Sequence, residues 1–169
     1  MKDDYDPNTA DFLTLTKQFF IRGLIAWNSR CTRREYWLGQ LGLLAAFLLF
    51  LIPLYFMFPD WVSHTRRVNT PYAEYTIMNW LFEALTFIFI KIPHIGALVR
   101  RLHDIGKRVW WGVPFVVVNY ADFTDNLWGT LISFAICVFT FILCCRDSER
   151  DPNAWGPSPK YRRATRSLS

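Results

Sequence analysis

The chain has 169 residues, of which 52% are apolar, 18% aromatic and 20% charged, and it carries a net charge of +5. Such a composition excludes an intrinsically disordered or collagen-like polymer, and the length suits a single domain. The charges are confined to short stretches separated by apolar runs too long for strands, which reads as an all-α integral membrane protein rather than the soluble nucleic-acid binder that net charge alone would invite.

Residues 1–37 read as a cytoplasmic N-terminal segment. Within it Phe12, Leu15, Phe19, Phe20, Leu24 and Trp27 recur at steps of three and four, with Lys17 and Arg22 elsewhere on the helical projection. This pattern predicts an amphipathic helix capped by Asp11. Such a helix lies in the headgroup zone with its aromatic face down, or packs on the protein's own cytoplasmic surface; the sequence leaves both open. The stretch from Met1 to Asp6 lacks the form of a cleavable signal peptide, so the first span is expected to be an uncleaved anchor.

Four spans are predicted within a membrane domain at 38–145. Residues 38–58 and 127–145 provide 21 and 19 residues without a charge, each close to the roughly 20 that a bilayer core requires. Residues 77–99 form the second span despite Glu83, Lys91, Pro93 and His94. The third, 109–121, has only 13 residues, about 20 Å of helix. It is retained because sixteen of the nineteen Lys and Arg residues then fall on one side, the cytoplasmic side by the positive-inside rule, together with both termini. A thinned bilayer or a tilt would accommodate its length. Residues 146–169 read as a cytoplasmic basic tail, expected to be disordered from Lys160 onward. Trp37, Trp61, Tyr75, Trp110, Trp111, Tyr120 and Trp128 fall near span ends, where indole and phenol rings anchor a protein at the interface.

The second span has a polar face. At about 100° per residue, His94 projects near 20° and Lys91 near 80° from Glu83. Burial of Lys91 costs several kcal/mol unless it faces protein or water, so this face is expected to point inward, either as a structural polar core or as an ion or proton pathway. Pro93 is expected to kink the helix. Gly39, Gly42 and Ala46, with Gly129, Ser133 and Cys137, form small-residue stripes suited to close contact with the second span or another protomer. Cys31, Cys137, Cys144 and Cys145 suggest no disulfide framework. They have no metal-ligand spacing, and no cofactor is expected. Cys144 and Cys145 at a membrane edge are acylation candidates in a eukaryote, or small polarizable core residues.

Three segments on the predicted cytoplasmic side stand out. They are Arg30-Cys31-Thr32-Arg33-Arg34-Glu35-Tyr36-Trp37, Arg100-Arg101-Leu102-His103-Asp104-Ile105-Gly106-Lys107-Arg108, and Asn153-Ala154-Trp155-Gly156-Pro157. In order and spacing the chain resembles, over about residues 12–160, the YhaH-type family of small bacterial inner-membrane proteins, a domain of unknown function. Ser29, where the family has Gly, and a glycine-poor 147–151 segment depart from its pattern. The resemblance implies a bacterial cytoplasmic-membrane location and supplies no reaction.

Two readings of these segments follow. In one, Arg30, Arg33, Arg101, Glu35 and Asp104 form an interfacial network locking the first two spans, covered by the Trp155-Gly156 turn, with His103 and Asn153 beside it. Arg100 and Asp104, four apart, would pair if the helix continues, and Gly106 would end it. In the other, Arg30, Arg33, Arg100, Arg101, Lys107 and Arg108 hold a lipid phosphate or other anionic ligand. Catalysis by His103 and Asp104 is disfavoured, because adjacent helical side chains diverge and no nucleophile accompanies them. The expected role is a non-catalytic, lipid-contacting scaffold or regulatory component, with membrane lipids and either further copies or another membrane protein as partners; the alternative is a small-solute or ion/proton transporter or channel using the Glu83 face.

Overall fold

A computed structural model describes residues 6–57, 80–120 and 127–161. The described residues form five α-helices and no strand.

Helix α1 (Phe12–Ile25) begins where Asp11 accepts a hydrogen bond from the Thr14 N–H at 3.2 Å, the cap its sequence predicts. Leu15, Phe19 and Gly23, one turn apart, are its buried residues. They pack on the protein itself: Phe19 lies over Gly39 and Thr16 over Gly42, while Gly23 meets the backbone of Pro93 and Gly96. Gly39 and Gly42 therefore receive α1, not the second span or another protomer. The opposite face of α1 leaves Leu13 and Ile25 exposed.

Helix α2 (Arg33–Met57) starts five residues before the apolar run at Leu38. Thr32 explains this, because its Oγ1 accepts from the Glu35 N–H at 3.2 Å, so capping chemistry starts the helix in a charged segment. Helix α3 (Trp80–Asp104) likewise continues past Val99. Its end is set by Gly106 at φ +70°. There the Lys107 N–H reaches the Leu102 carbonyl at 2.8 Å and the Gly106 N–H that of His103 at 3.2 Å, a Schellman termination requiring a left-handed residue. Within α3 a π turn spans Phe87–Lys91, with the Ile92 N–H bonded to the Phe87 carbonyl. It ends two residues before Pro93, whose missing N–H and bulky ring disturb the α-helical pattern one turn back.

A short 3-10 turn (Val109–Trp111) leads to α4 (Val113–Tyr120), and α5 (Leu127–Cys145) completes the set. Three helices, α2, α3 and α5, are long and apolar enough to cross a membrane, rather than the four expected. The shortfall lies at 109–121, where Pro114 sits at the start of α4 and Gly112 separates it from the 3-10 turn. Proline tolerates a first helical turn but not an interior, so the apolar stretch is divided.

Helices α2 and α5 run antiparallel at their joined ends. Arg33 donates to the Cys145 carbonyl and, one turn inward, the Trp37 and Phe141 rings lie 5.1 Å apart. The core gathers at this end, from Phe19, Tyr36, Ala97, Leu98, Leu102 and Leu143. Helices α1, α2 and α3 leave between them an apolar groove of about 450 Å³ whose lining includes Phe20, Leu43, Phe47, Phe82 and Phe89. Large apolar side chains such as Leu49, Phe56, Trp80 and Phe134 are at least two-thirds exposed, the outer surface expected of helices solvated by hydrocarbon.

Candidate functional site

The ends of α2, α3 and α5 meet around three arginines. Arg30, in the turn between α1 and α2, uses all five of its N–H donors. Its Nε donates to Asp104 Oδ1 at 3.2 Å, Nη1 to the carbonyls of Asp151 and Gly156 at 3.1 Å each, and Nη2 to the carbonyls of Asp104 and Glu149 at 3.1 and 2.6 Å. Arg100 donates to Glu35 Oε1 at 2.5 Å and to Ser29 Oγ at 2.9 Å. Arg101 donates to Asp104 Oδ2 at 2.5 Å and to the carbonyls of Cys31, Cys144 and Arg146. Asp104 also accepts from Ser148 Oγ.

Both Arg100 and Arg101 are fully buried, as is Asp104, while Arg30 is 4% and Glu35 1% exposed. Three guanidinium groups and two carboxylates leave an excess positive charge. Carbonyl groups at the C-terminal ends of α3 and α5, including those of Asp104 and Cys144, supply the partial negative charge that offsets it. Those same carbonyls lack helical partners, so the arginines also serve as C-terminal caps.

The chain beyond α5 closes over this cluster. Asn153 and Gly156 pair in a tight antiparallel bridge, with Gly156 at φ +107°. Asn153 Oδ1 accepts from the Trp155 N–H, and its Nδ2 donates to the His103 carbonyl at 3.0 Å. This places the Trp155 indole on the His103 ring, 4.2 Å away and 9° from parallel. Cys31 is enclosed beneath, and burial, aided by the Glu35 charge, pushes its thiol well above the ordinary range. A thiol so shielded is a poor nucleophile. Among the described residues no group of three or more His, Cys, Asp or Glu side chains is placed to hold a metal ion.

The structure thus brings together Arg30, Arg100, Arg101, Glu35, His103, Asp104, Asn153, Trp155 and Gly156. Asp104 pairs with Arg101 and Arg30, not with Arg100, which turns to Glu35. Arg33 stays at the exposed edge, 3.3 Å from Asp147. Lys107 stands over the Trp111 ring at 5.2 Å, and Arg108 is exposed. Lys160, expected in a disordered tail, pairs with Asp147 at 2.5 Å; residues 162–169 lie outside the described residues.

Glu83, Lys91 and His94 lie apart from the cluster and do not form one inward face. Lys91 Nζ contacts Glu83 Oε2 at 3.2 Å, with the Glu83 side chain 61% exposed. In an uninterrupted α-helix eight steps would put them about 80° apart; the intervening π turn takes up an extra residue and draws them toward one line. His94 instead packs against Phe115, ring centroids 5.8 Å apart.

A family model matches residues 24–157, described as a protein of unknown function, DUF805. The chain belongs to the DUF805 family. The DUF805 match runs from the end of α1 through Pro157, so it contains the whole arginine cluster and its covering turn, while most of α1 precedes it. Nothing ties the chain to the YhaH name specifically. No curated protein and no solved structure matches it. The sequence signals missed the carbonyls of Glu149, Asp151 and Arg146, because a backbone acceptor leaves no trace in residue type, and Ser148, a side-chain donor to Asp104, because a lone serine after a helix carries no mark of its partner.

Proposed function

We propose that this protein is a non-catalytic, lipid-contacting scaffold or regulatory component of the bacterial cytoplasmic membrane, whose helix ends are locked by a buried arginine latch. The observation that carries this reading is Arg30, all five donors of which are held by protein acceptors. Residues that resemble a catalytic or anion-binding set are engaged in joining α2, α3 and the chain after α5. The transport alternative draws less support, since Glu83 is paired with Lys91 and His94 is packed on Phe115.

A fourth crossing, with both termini cytoplasmic, is part of the proposal. The latch gathers the start of α2 and the ends of α3 and α5. The 19 residues of α5 extend about 28 Å, so Leu127 lies far from the latch although Asp104 lies within it. The chain from 105 to 126 joins these two depths, although among the described residues it holds no single helix long enough to do so. Four passages put Met1 and Ser169 on one side, where the positive-inside rule places most of the basic residues. Alkaline phosphatase and fluorescent-protein fusions at both termini and within 121–126 test this. Fluorescence at both termini with phosphatase activity at 121–126 is expected; termini on opposite sides would overturn it.

A further inference from the structure

Beside the latch, on its outer side, lies a pocket of about 350 Å³ whose lining includes Trp27, His103, Arg108, Trp110 and Trp155. A cavity of this size suits a small ligand or headgroup, and its components differ from those of the latch. Arg108 is exposed and, among the described residues, holds no ion pair. His103 is 2% exposed and fixed from one side by Trp155. The backbone carbonyls of Ser29 and Trp27 lie within hydrogen-bonding reach of its ring, while the buried Nδ1 makes no hydrogen bond of good geometry among the described residues. A buried polar atom without a partner is costly, and a ligand that supplies one removes the cost.

We infer that this pocket binds the headgroup of an acidic glycerophospholipid bearing a hydroxyl, with the phosphate on Arg108 and the headgroup hydroxyl donating to His103 Nδ1. A guanidinium fork matches a phosphate, whereas the lining has no carboxylate to attract a cation. The source is a lipid because the pocket opens beside Val109, Trp110 and Trp111, which are 42%, 76% and 47% exposed. Exposed indoles at the end of a spanning helix sit at headgroup depth. This inference rests on the lipid-contacting reading and gives it a location and a chemistry.

The test uses the full chain in mild detergent, with native mass spectrometry after addition of equal amounts of phosphatidylglycerol, phosphatidylmethanol and phosphatidylcholine. Preferential retention of phosphatidylglycerol is expected. Arg108→Gln should reduce retention of both acidic lipids about fivefold, whereas Lys17→Gln, an equal charge change on α1, should not, since one basic residue near a surface contributes on the order of 1 kcal/mol. His103→Phe, which keeps a ring on Trp155, should erase the preference for phosphatidylglycerol over phosphatidylmethanol. Inorganic phosphate at millimolar concentration should not compete; full competition would assign the pocket to a soluble phosphate and overturn the lipid source. Equal phosphatidylglycerol retention by wild type and Arg108→Gln would overturn the pocket while leaving lipid contact intact. Failure of the wild type to retain any lipid would instead remove the broader reading. Arg108 is exposed, so its variant tests the site even if His103→Phe does not fold.

Discussion

Arg30 grips Asp104 twice, through the carboxylate at 3.2 Å and through the backbone carbonyl at 3.1 Å, and so joins the start of α2 to the last residue of α3. The planar fork makes both contacts while its other edge reaches residues 149, 151 and 156. Lysine offers three donors around one point and cannot reproduce that geometry. Arg30→Lys is therefore expected to be nearly as damaging as Arg30→Ala, each costing about 3–5 kcal/mol because Asp104 loses a buried partner. Thermal unfolding in detergent measures it; a Lys variant with wild-type stability would show that charge alone suffices.

The glycines separate two kinds of sensitivity. A Cβ on Gly23 would stand 2.6 Å from the Pro93 carbonyl oxygen, and one on Gly96 would strike the Gly23 backbone. Neither neighbour is a flexible side chain, so Gly23→Ala and Gly96→Ala should each cost about 1–3 kcal/mol and loosen α1 from α3. At Gly156 a Cβ meets nothing within 4 Å, but φ is +107°. Gly156→Ala should thus cost about 1–2 kcal/mol from backbone strain alone and act on the covering turn. Limited proteolysis distinguishes the two, with cleavage near α1 in the first case and between 146 and 161 in the second.

Thiol chemistry should follow burial. Cys145 is exposed, whereas Cys31 and Cys144 are buried. A maleimide is expected to label Cys145 in the folded protein and to reach Cys31 and Cys144 only after denaturation. Because the Cys31 thiol lies above its ordinary range, moderately alkaline conditions should not make it reactive. Mass spectrometry of labelled peptides at two pH values checks this.

The tail should loosen in acid. The hydrogen bond from Lys160 holds the Asp147 carboxyl below its ordinary value, and the same contact holds the Lys160 amine above its own. A carboxyl with a lowered folded value stabilises the folded state above its unfolded value and loses that effect as pH falls through the folded one. Attachment of Lys160 should therefore persist through neutral pH and fail below the usual carboxylate range. Hydrogen exchange at 157–161 as a function of pH reports this, and Asp147→Asn should abolish the dependence. The Asp147 side chain is 51% and that of Lys160 32% exposed, so solvent screens the pair and the effect is local.

Sequence reasoning reached α2 and α5 because an unbroken apolar run states its own length, and it reached Gly106 and Asp11 because termination and capping are local. It named Arg30, Arg101, Asp104, Asn153 and Trp155 as neighbours from their segments, but paired Asp104 with Arg100 because spacing along a helix cannot say which way the next helix turns. The Gly23 and Gly96 contact escaped it, since glycine in an apolar stretch carries no mark of what approaches. At 109–121 a hydropathic count could not register the interruption at Gly112 and Pro114. The π turn was hidden for a related reason: Pro93 announces a disturbance without specifying the form it takes.

The bonds from Arg30 to the Asp151 and Gly156 carbonyls impose an order on biosynthesis. A ribosome finishes α3 before it reaches Gly156, so Arg30 waits with its final acceptors still unmade. Closure is a late event in the life of each nascent chain. A polypeptide interrupted before Asn153 would leave that guanidinium without its Gly156 acceptor.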